Sequence, residues 1–124
     1  MNDDALILFA HGARDPRWAD PLRSVVERVR ARAPGLRVEL AFLELMQPSL
    51  PEAVAELSAE GIARITLVPA FLGQGGHIRR DLPLLLDELR RRHPRMRIEL
   101  APTVGEVDQV LDAIASFCVQ SHYG

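Results

Sequence analysis

Short apolar runs alternate along this chain with longer segments in which apolar residues recur every three or four positions. The runs are typical of buried strands, and the longer segments are typical of amphipathic helices. Strands are predicted at residues 5–10, 36–42, 64–69 and 96–101. Because a helical segment follows each strand, the order favours an α/β fold with a four-stranded parallel sheet flanked by helices on both faces.

The ends of the helical segments carry residues that usually start and stop helices. The first helix begins at Asp15-Pro16 or at Asp20-Pro21 and stops at Pro34-Gly35. The second begins at Ser49, which with Glu52 has the spacing of a capping box. The third covers roughly 79–92. The fourth, in which Cys118 is expected to fill the core, is marked by Val107, Val110, Leu111, Ile114, Phe117 and Cys118.

Composition is that of an ordinary globular domain. The 124 residues, 48% hydrophobic and 26% charged, fit a single domain over 1–124. The net charge of −2 does not favour nucleic acid as a partner, and one cysteine excludes an internal disulfide. Acidic rather than basic residues precede the first apolar run, and no stretch is long enough to span a bilayer. A cytoplasmic protein without membrane contact is therefore expected.

Candidate chemistry gathers at one edge of the predicted sheet. In open parallel sheets, ligands bind beyond the carboxyl ends of the strands, and the segments there contain His11, Glu44 and His77. A lone histidine at a strand end is most often bonded to nearby backbone, but two on one edge favour a metal site. Two imidazoles bind a divalent metal weakly and leave positions open, which suits a metal that must be released. Glu44 is a third metal contact, a proton acceptor or simply a surface carboxylate.

The loop LGQGGH at residues 72–77 does not complete a known phosphate-binding motif, since no GxGxxG follows the first strand and no Gly-Lys-Ser/Thr follows the loop. Its backbone N–H groups, notably those of Gly75 and Gly76, can still contact an anion. Arginine forks suit carboxylates, and Arg14 and Arg79 stand near this edge. Together they indicate an acidic ligand, for which apolar lips could be supplied by Phe71, Leu72, Met46 and Trp18.

Three segments resemble a known family. FAHGARDPRW, FLELMQPSL and LVPAFLGQGGHIRRDLP are similar to segments of the small single-domain sirohydrochlorin cobaltochelatases, the short CbiX type of the class II chelatases. The resemblance spans nearly the whole chain. It implies insertion of a divalent metal into sirohydrochlorin without ATP, by a homodimer that builds the cleft which two-lobed relatives form from one chain.

The resemblance also implies roles for individual residues. His11 and His77 match the two histidines of the family, and Glu44 resembles its acidic position near the metal. Both histidines would bind the metal, and one would accept a pyrrole proton. The family name favours Co²⁺, whereas the ligand types accept Fe²⁺ and Ni²⁺ as well, so cobalamin and sirohaem synthesis are both possible pathways.

Two other functions are compatible with the sequence. A carrier would bind the metal or the tetrapyrrole without accelerating insertion, which turnover kinetics would reveal. A histidine-dependent phosphatase would carry Arg-His-Gly at the end of its first strand, but here Ala10 precedes His11, so the phosphate-binding arginine is missing.

Overall fold

The structure is a computed structural model that describes residues 3–124. Four parallel strands and four α-helices alternate in chain order, as the sequence predicts, with short 3₁₀ turns at Pro16–Ala19 and Val104–Glu106. The strands are β1 (Asp4–Ala10), β2 (Arg37–Phe42), β3 (Arg64–Pro69) and β4 (Arg97–Leu100). The helices are α1 (Asp20–Arg32), α2 (Leu50–Ala59), α3 (Gly76–Arg92) and α4 (Asp108–Tyr123).

The four strands form one sheet in the order β2-β1-β3-β4. All neighbours are parallel, with Leu8 opposite Leu40 on one side and Val68 on the other. The chain leaves β1 towards one edge of the sheet and later returns on its other side to form β3. A crevice opens at such a reversal of strand order, and β1 and β3 border it here.

The helices divide unequally between the faces of the sheet. The larger core cluster lies on the face covered by α2 and α3, where Ile7, Phe9 and Leu67 are buried against residues such as Leu57 and Leu86. A smaller cluster lies under α1 on the opposite face. Strand residues alternate between the two faces, so one strand contributes to both clusters.

Helix starts follow local capping chemistry. The capping box at Ser49 is confirmed: its hydroxyl accepts from the Glu52 N–H at 3.2 Å, and the Glu52 carboxylate accepts from the Ser49 N–H at 2.9 Å. α3 begins at Gly76, earlier than the predicted start at residue 79. Glycine and histidine have low helix propensity, which hid this first turn in the sequence. His77 therefore belongs to a helix.

The last helix departs most from the expectation. α4 buries none of its residues, and its main contacts with another element are with the 3₁₀ turn before it. Cys118 is exposed, so the expectation that it fills the core is wrong. The helix predicted for this segment is confirmed. Helical periodicity, however, identifies an apolar face without indicating which element covers it. Within residues 3–124, no helix is both long and apolar enough to cross a membrane.

Candidate functional site

His11 stands at the end of β1 with its ring exposed. The imidazole meets the edge of the Phe71 ring, with centroids 4.8 Å apart and planes at 63°. Phe71 also contacts Phe9 and is only 3% exposed, so the expectation that it forms an exposed lip is wrong. The reason is that the Ala70 N–H donates to the Phe9 carbonyl at 2.7 Å. This bond continues the sheet past β3 and turns Phe71 into the core, where it supports His11.

The backbone after His11 is locked to the loop after β2. The Glu44 N–H donates to the His11 carbonyl at 3.0 Å. Gly12 has a φ of +94°, and a Cβ there would lie 1.9 Å from the Glu44 carbonyl oxygen. Only glycine fits this conformation and this close approach. The backbone of Glu44 is thereby held next to His11, and its side chain is exposed.

His77 lies in the first turn of α3, also with an exposed side chain. It lines a cavity of about 290 Å³ whose other walls are largely apolar and come from Phe9, Leu43, Ile78, Asp81, Leu82 and Leu85. Asp81 is the second polar residue of this lining. It stands four residues after His77, on the same side of the helix. Sequence reasoning missed Asp81. Because the helix was predicted to start after His77, the four-residue spacing between His77 and Asp81 did not indicate that they share a side of one helix.

The three metal ligands proposed from the sequence do not come together as one group in this structure. Across residues 3–124, no three side chains of His, Cys, Asp or Glu come together in a group that could hold a metal ion. His11, His77 and Glu44 therefore do not form a closed three-ligand site. Structural metal sites usually close four ligands around the ion, whereas sites for exchangeable metals keep positions open. The roles of these three residues stay predictions.

The arginines near the edge fall into two classes. Arg17 forms a fork with the Asp15 carboxylate at 2.8 Å, and this hydrogen bond lowers the pKa of that carboxyl. Arg14 and Arg79 are exposed and have no ion-pair partner within the described part of the chain. Two unpaired guanidinium groups are therefore free to meet an external anion. The N-cap of α3 is Gly75, so no side chain caps the first N–H groups of that helix, which include the N–H of Gly76.

Exposed apolar side chains lie in the loops that follow β2 and β3. Leu72 is 68% exposed in the loop after β3, and Leu43 and Leu45 are exposed in the loop after β2. Leu45 has a φ of +66°, a left-handed conformation that is costly for leucine. Met46, by contrast, packs against the cluster of Ala19 and Phe42. Leu72 and Trp18, which is 41% exposed, were named in the sequence analysis, whereas Leu43 and Leu45 were not.

Sequence relatives carry one recurring name. The sequence model of the CbiX family matches residues 5–120. A sirohydrochlorin cobaltochelatase of Methanocaldococcus jannaschii is 37% identical over 90 residues, which cover 73% of this chain and 63% of that protein. A sirohydrochlorin cobaltochelatase of Saccharolobus solfataricus is 35% identical over 99 residues, which cover 77% of this chain and 76% of that protein. The match thus spans less than two thirds of the first relative and about three quarters of the second.

Solved structures show the same architecture. A crystal structure described as a cobalamin (vitamin B12) biosynthesis CbiX protein of Marinobacter aquaeolei VT8 superposes with a TM-score of 0.85 at 29% identity, covering 97% of this chain and 98% of that one. The sirohydrochlorin chelatase SirB of Bacillus subtilis subspecies spizizenii, crystallised with cobalt, gives a TM-score of 0.78 at 24% identity. That alignment covers 94% of this chain but 49% of SirB. Since the family match extends over residues 5–120 and the fold agrees throughout, this chain belongs to the CbiX family.

Proposed function

We propose that this protein inserts a divalent metal ion into sirohydrochlorin without ATP. The observation that carries the proposal is the pair of exposed histidines that follow the neighbouring strands β1 and β3: His11 directly after β1, and His77 in the first turn of α3. Relatives named sirohydrochlorin cobaltochelatase and ferrochelatase support the choice of reaction and substrate.

The reaction exchanges one metal dication for two pyrrole N–H protons, so the site must present the metal and accept protons. Neutral imidazole does both near neutral pH. In the proposed mechanism His11 and His77 bind the entering metal. As the metal–nitrogen bonds of the ring form, one imidazole releases the metal and takes one ring proton, and the second ring proton passes to a nearby carboxylate or to solvent. Two imidazoles leave coordination positions open, which suits a metal that must pass on to the ring.

Carboxylates near the histidines would carry the protons away. Glu44 is held beside His11 through the backbone bond to the His11 carbonyl. Asp81 lines the same cavity as His77. We assign Glu44 to metal delivery or proton transfer near His11 and Asp81 to proton transfer near His77. Either role works from a short distance, so neither carboxylate needs to complete a three-ligand group.

Ring recognition uses the remaining groups of this edge. Sirohydrochlorin is a flat tetrapyrrole that carries many carboxylates. Its apolar surface would lie against Leu72 and Leu43, while its carboxylates would meet Arg14, Arg79 and the N–H groups at the start of α3, including that of Gly76. Phe71 acts from beneath, by holding the His11 ring.

Cobalt is the metal we propose as physiological. Imidazole and carboxylate ligands accept Co²⁺, Fe²⁺ and Ni²⁺ alike, so the ligand types do not discriminate among them. The preference rests on the names of similar sequence relatives, including those of Methanocaldococcus and Saccharolobus. Iron and nickel are the other outcomes of the assay below.

A second copy of the chain is proposed to complete the cleft. The cavity of about 290 Å³ lies at the small end of the range for small-molecule sites, and a tetrapyrrole is larger than a typical drug-sized ligand. SirB, which is about twice as long as the aligned region, supports the need for a second lobe. The predicted cytoplasmic location stays a prediction.

The deciding experiment follows sirohydrochlorin absorbance anaerobically with Co²⁺, Fe²⁺ or Ni²⁺ and catalytic amounts of protein. Acceleration of metal insertion by the wild type, lost in His11→Ala and His77→Ala, is the expected result, and the relative rates rank the metals. Binding of the ring or the metal without any acceleration would contradict the proposal and identify a carrier instead.

A further inference from the structure

Leu45 combines two unfavourable features that a folded chain rarely places in one residue. Its backbone is left-handed, with a φ of +66°, where the Cβ of an L-residue crowds the following carbonyl. Its side chain is 61% exposed in the loop after β2. Two other residues of the described part of the chain have a positive φ, and both are glycines, Gly12 and Gly61. The chain thus has glycine where such a conformation serves the backbone alone, and Leu45 departs from that rule.

A tight turn imposes this conformation on Leu45. The Met46 N–H donates to the Glu44 carbonyl at 2.8 Å, which closes a three-residue turn centred on Leu45. Its φ is near the value of about +75° at the centre of the rare and strained form of the γ-turn. The start of the turn is fixed as well, because the Glu44 N–H donates to the His11 carbonyl and the Glu44 carbonyl lies against Gly12.

The turn needs the backbone of residue 45 but not the leucine side chain. Beyond the turn, Met46 packs against the cluster of Ala19 and Phe42, so the path of the backbone serves the core. Glycine or asparagine at position 45 would follow the same path with less strain. A side chain that increases strain and stays mostly in solvent contributes little to folding. Strained residues of this kind cluster at binding sites, where the fold holds a group in place for a ligand.

The loop that carries Leu45 lies beside the candidate site. Leu43 lines the cavity that also contains His77. The backbone of Glu44 is bonded to His11. Both leucines are exposed, and so is the carboxylate that separates them in sequence. Residues 43–45 therefore present two apolar side chains and one proton acceptor next to the predicted metal-binding histidines.

The charged groups of this edge separate into two sets. Residues 43–50 contain one acidic residue, Glu44, and no lysine or arginine. The exposed guanidinium groups belong to other segments, with Arg14 after β1 and Arg79 in α3. A ring that carries carboxylates on its rim is attracted by the arginines and repelled by Glu44. The loop after β2 is therefore suited to the apolar face of such a ring, where the pyrrole N–H groups lie, and not to its rim.

We propose that Leu45 is a specificity-determining residue that contacts the apolar face of the tetrapyrrole. Together with Leu43 it packs on the flat ring, and the carboxylate rim is left to Arg14 and Arg79. This inference rests on the proposed function and deepens it, because it assigns an orientation to the ring and a residue that selects it. The turn holds Leu45 in place before the ring arrives, so binding immobilises little that was free.

The first test measures sirohydrochlorin binding without metal, by absorbance and fluorescence titration of the full-length protein. Leu45→Gly and Leu45→Asn should bind the ring about 10-fold more weakly, the loss expected when one apolar side chain leaves a contact. Leu45→Met keeps an apolar side chain and should restore most of the affinity. Val25→Asn removes another exposed apolar side chain, from α1, and is the control. Equal affinities of the wild type and Leu45→Gly would overturn the inference.

Thermal unfolding separates a ring contact from a structural role. Leu45→Gly relieves the left-handed strain, so its Tm should not fall and should rise by up to about 5 °C. Leu45→Asn should behave in the same way, since asparagine tolerates this conformation without the added freedom of glycine in the unfolded chain. A residue that only supported the loop would lose affinity and Tm together. A clear fall in the Tm of both variants would therefore overturn the inference.

Salt dependence separates the contact with the ring face from the contacts with its rim. Arg79→Ala removes a charge interaction, so its loss of affinity should shrink as ionic strength rises. The loss in Leu45→Asn should persist at high salt, because burial of apolar surface is not screened. A loss in Leu45→Asn that disappears at high salt would contradict an apolar contact.

The titration contains no metal, so its result is separate from that of the insertion assay. Ring binding that depends on Leu45 without metal insertion would leave this inference standing and remove the proposed reaction. Insertion with unchanged ring affinity in Leu45→Gly would do the reverse. A wild type that does not bind the ring would remove both. Sedimentation velocity of each variant completes the test: a change in mass would show that Leu45 contacts a second copy of the chain, which would overturn its assignment to the ring.

Discussion

The loop that ends β1 carries His11, the loop after β3 leads into the helix turn that carries His77, and the two loops are built in different ways. The loop after β1 is held by backbone: Gly12 is pressed against the Glu44 carbonyl, and the His11 carbonyl accepts from the Glu44 N–H. The loop after β3 is richer in glycine, yet nothing lies within 4 Å of a Cβ built on Gly75 or Gly76. The single glycine is required by the fold, whereas the glycines of the second loop are not.

The difference indicates what each loop is for. A glycine with no steric need for its conformation contributes flexibility or open access to its backbone N–H. The second loop is tied down chiefly at its middle, where the Gln74 side-chain amide donates to the Thr103 hydroxyl at 2.6 Å. We therefore expect the first loop to act as a fixed support for His11 and the second to approach the ligand. The variants below test this contrast, from the largest expected effect to the smallest.

Removing either imidazole should have the largest effect. His11→Ala and His77→Ala should each lower the rate of metal insertion by about 10²- to 10⁴-fold, the usual range for general acid–base groups. Both side chains are exposed, so thermal unfolding should barely change. His93→Ala, at the far end of α3, is the matched control and should keep its rate. Loss of rate in only one of the two site variants would show that the loops do not share the reaction.

Gly12→Ala should be the most destabilising change in either loop. The methyl group would collide with the Glu44 carbonyl oxygen in a backbone conformation that alanine avoids. Left-handed strain and the forced backbone shift together should lower the free energy of unfolding by about 3 kcal/mol, measured by urea denaturation. Gly73→Ala, which has open space around it, is the control. Equal losses in the two variants would remove the contrast between the loops.

Gln74→Ala should have an intermediate effect. It leaves the hydroxyl of Thr103, which is buried, without its side-chain partner, at a cost of roughly 1 kcal/mol in unfolding free energy. In Gln74→Ala/Thr103→Val both polar partners are gone, so most of that loss should be recovered. A double variant as unstable as the sum of the two single variants would mean that this hydrogen bond does not anchor the loop.

Gly76→Ala should have the smallest effect on stability. Gly76 is the first residue of α3, and alanine there should raise the unfolding free energy by at most about 0.5 kcal/mol. If sirohydrochlorin carboxylates approach this backbone, the added methyl should raise KM for the ring while leaving kcat nearly unchanged. An unchanged KM would assign the glycines of this loop to flexibility alone.

Much of the fold and part of the site could be predicted without coordinates. Strand runs, alternating order and the capping box at Ser49 are local properties, and each was placed correctly within a few residues. The positions of His11 after β1 and of His77 beyond β3 also follow from topology, because parallel strands share their carboxyl ends, whereas the roles of the two histidines stay predictions. Asp81 was missed, since its relation to His77 depends on a helix start that weak propensities conceal.

What the sequence determined by itself was the periodicity of each element and, through the alternating order, a parallel sheet with its chemistry at one edge. Only the tertiary structure decided which apolar residues are buried. Phe71 turns inward because the sheet extends past β3, whereas apolar residues of α4 such as Ile114 and Phe117 stay exposed because that helix mainly contacts the 3₁₀ turn before it. Periodicity follows from bonds and spacing within a segment, whereas burial depends on close approaches between segments that are distant in sequence.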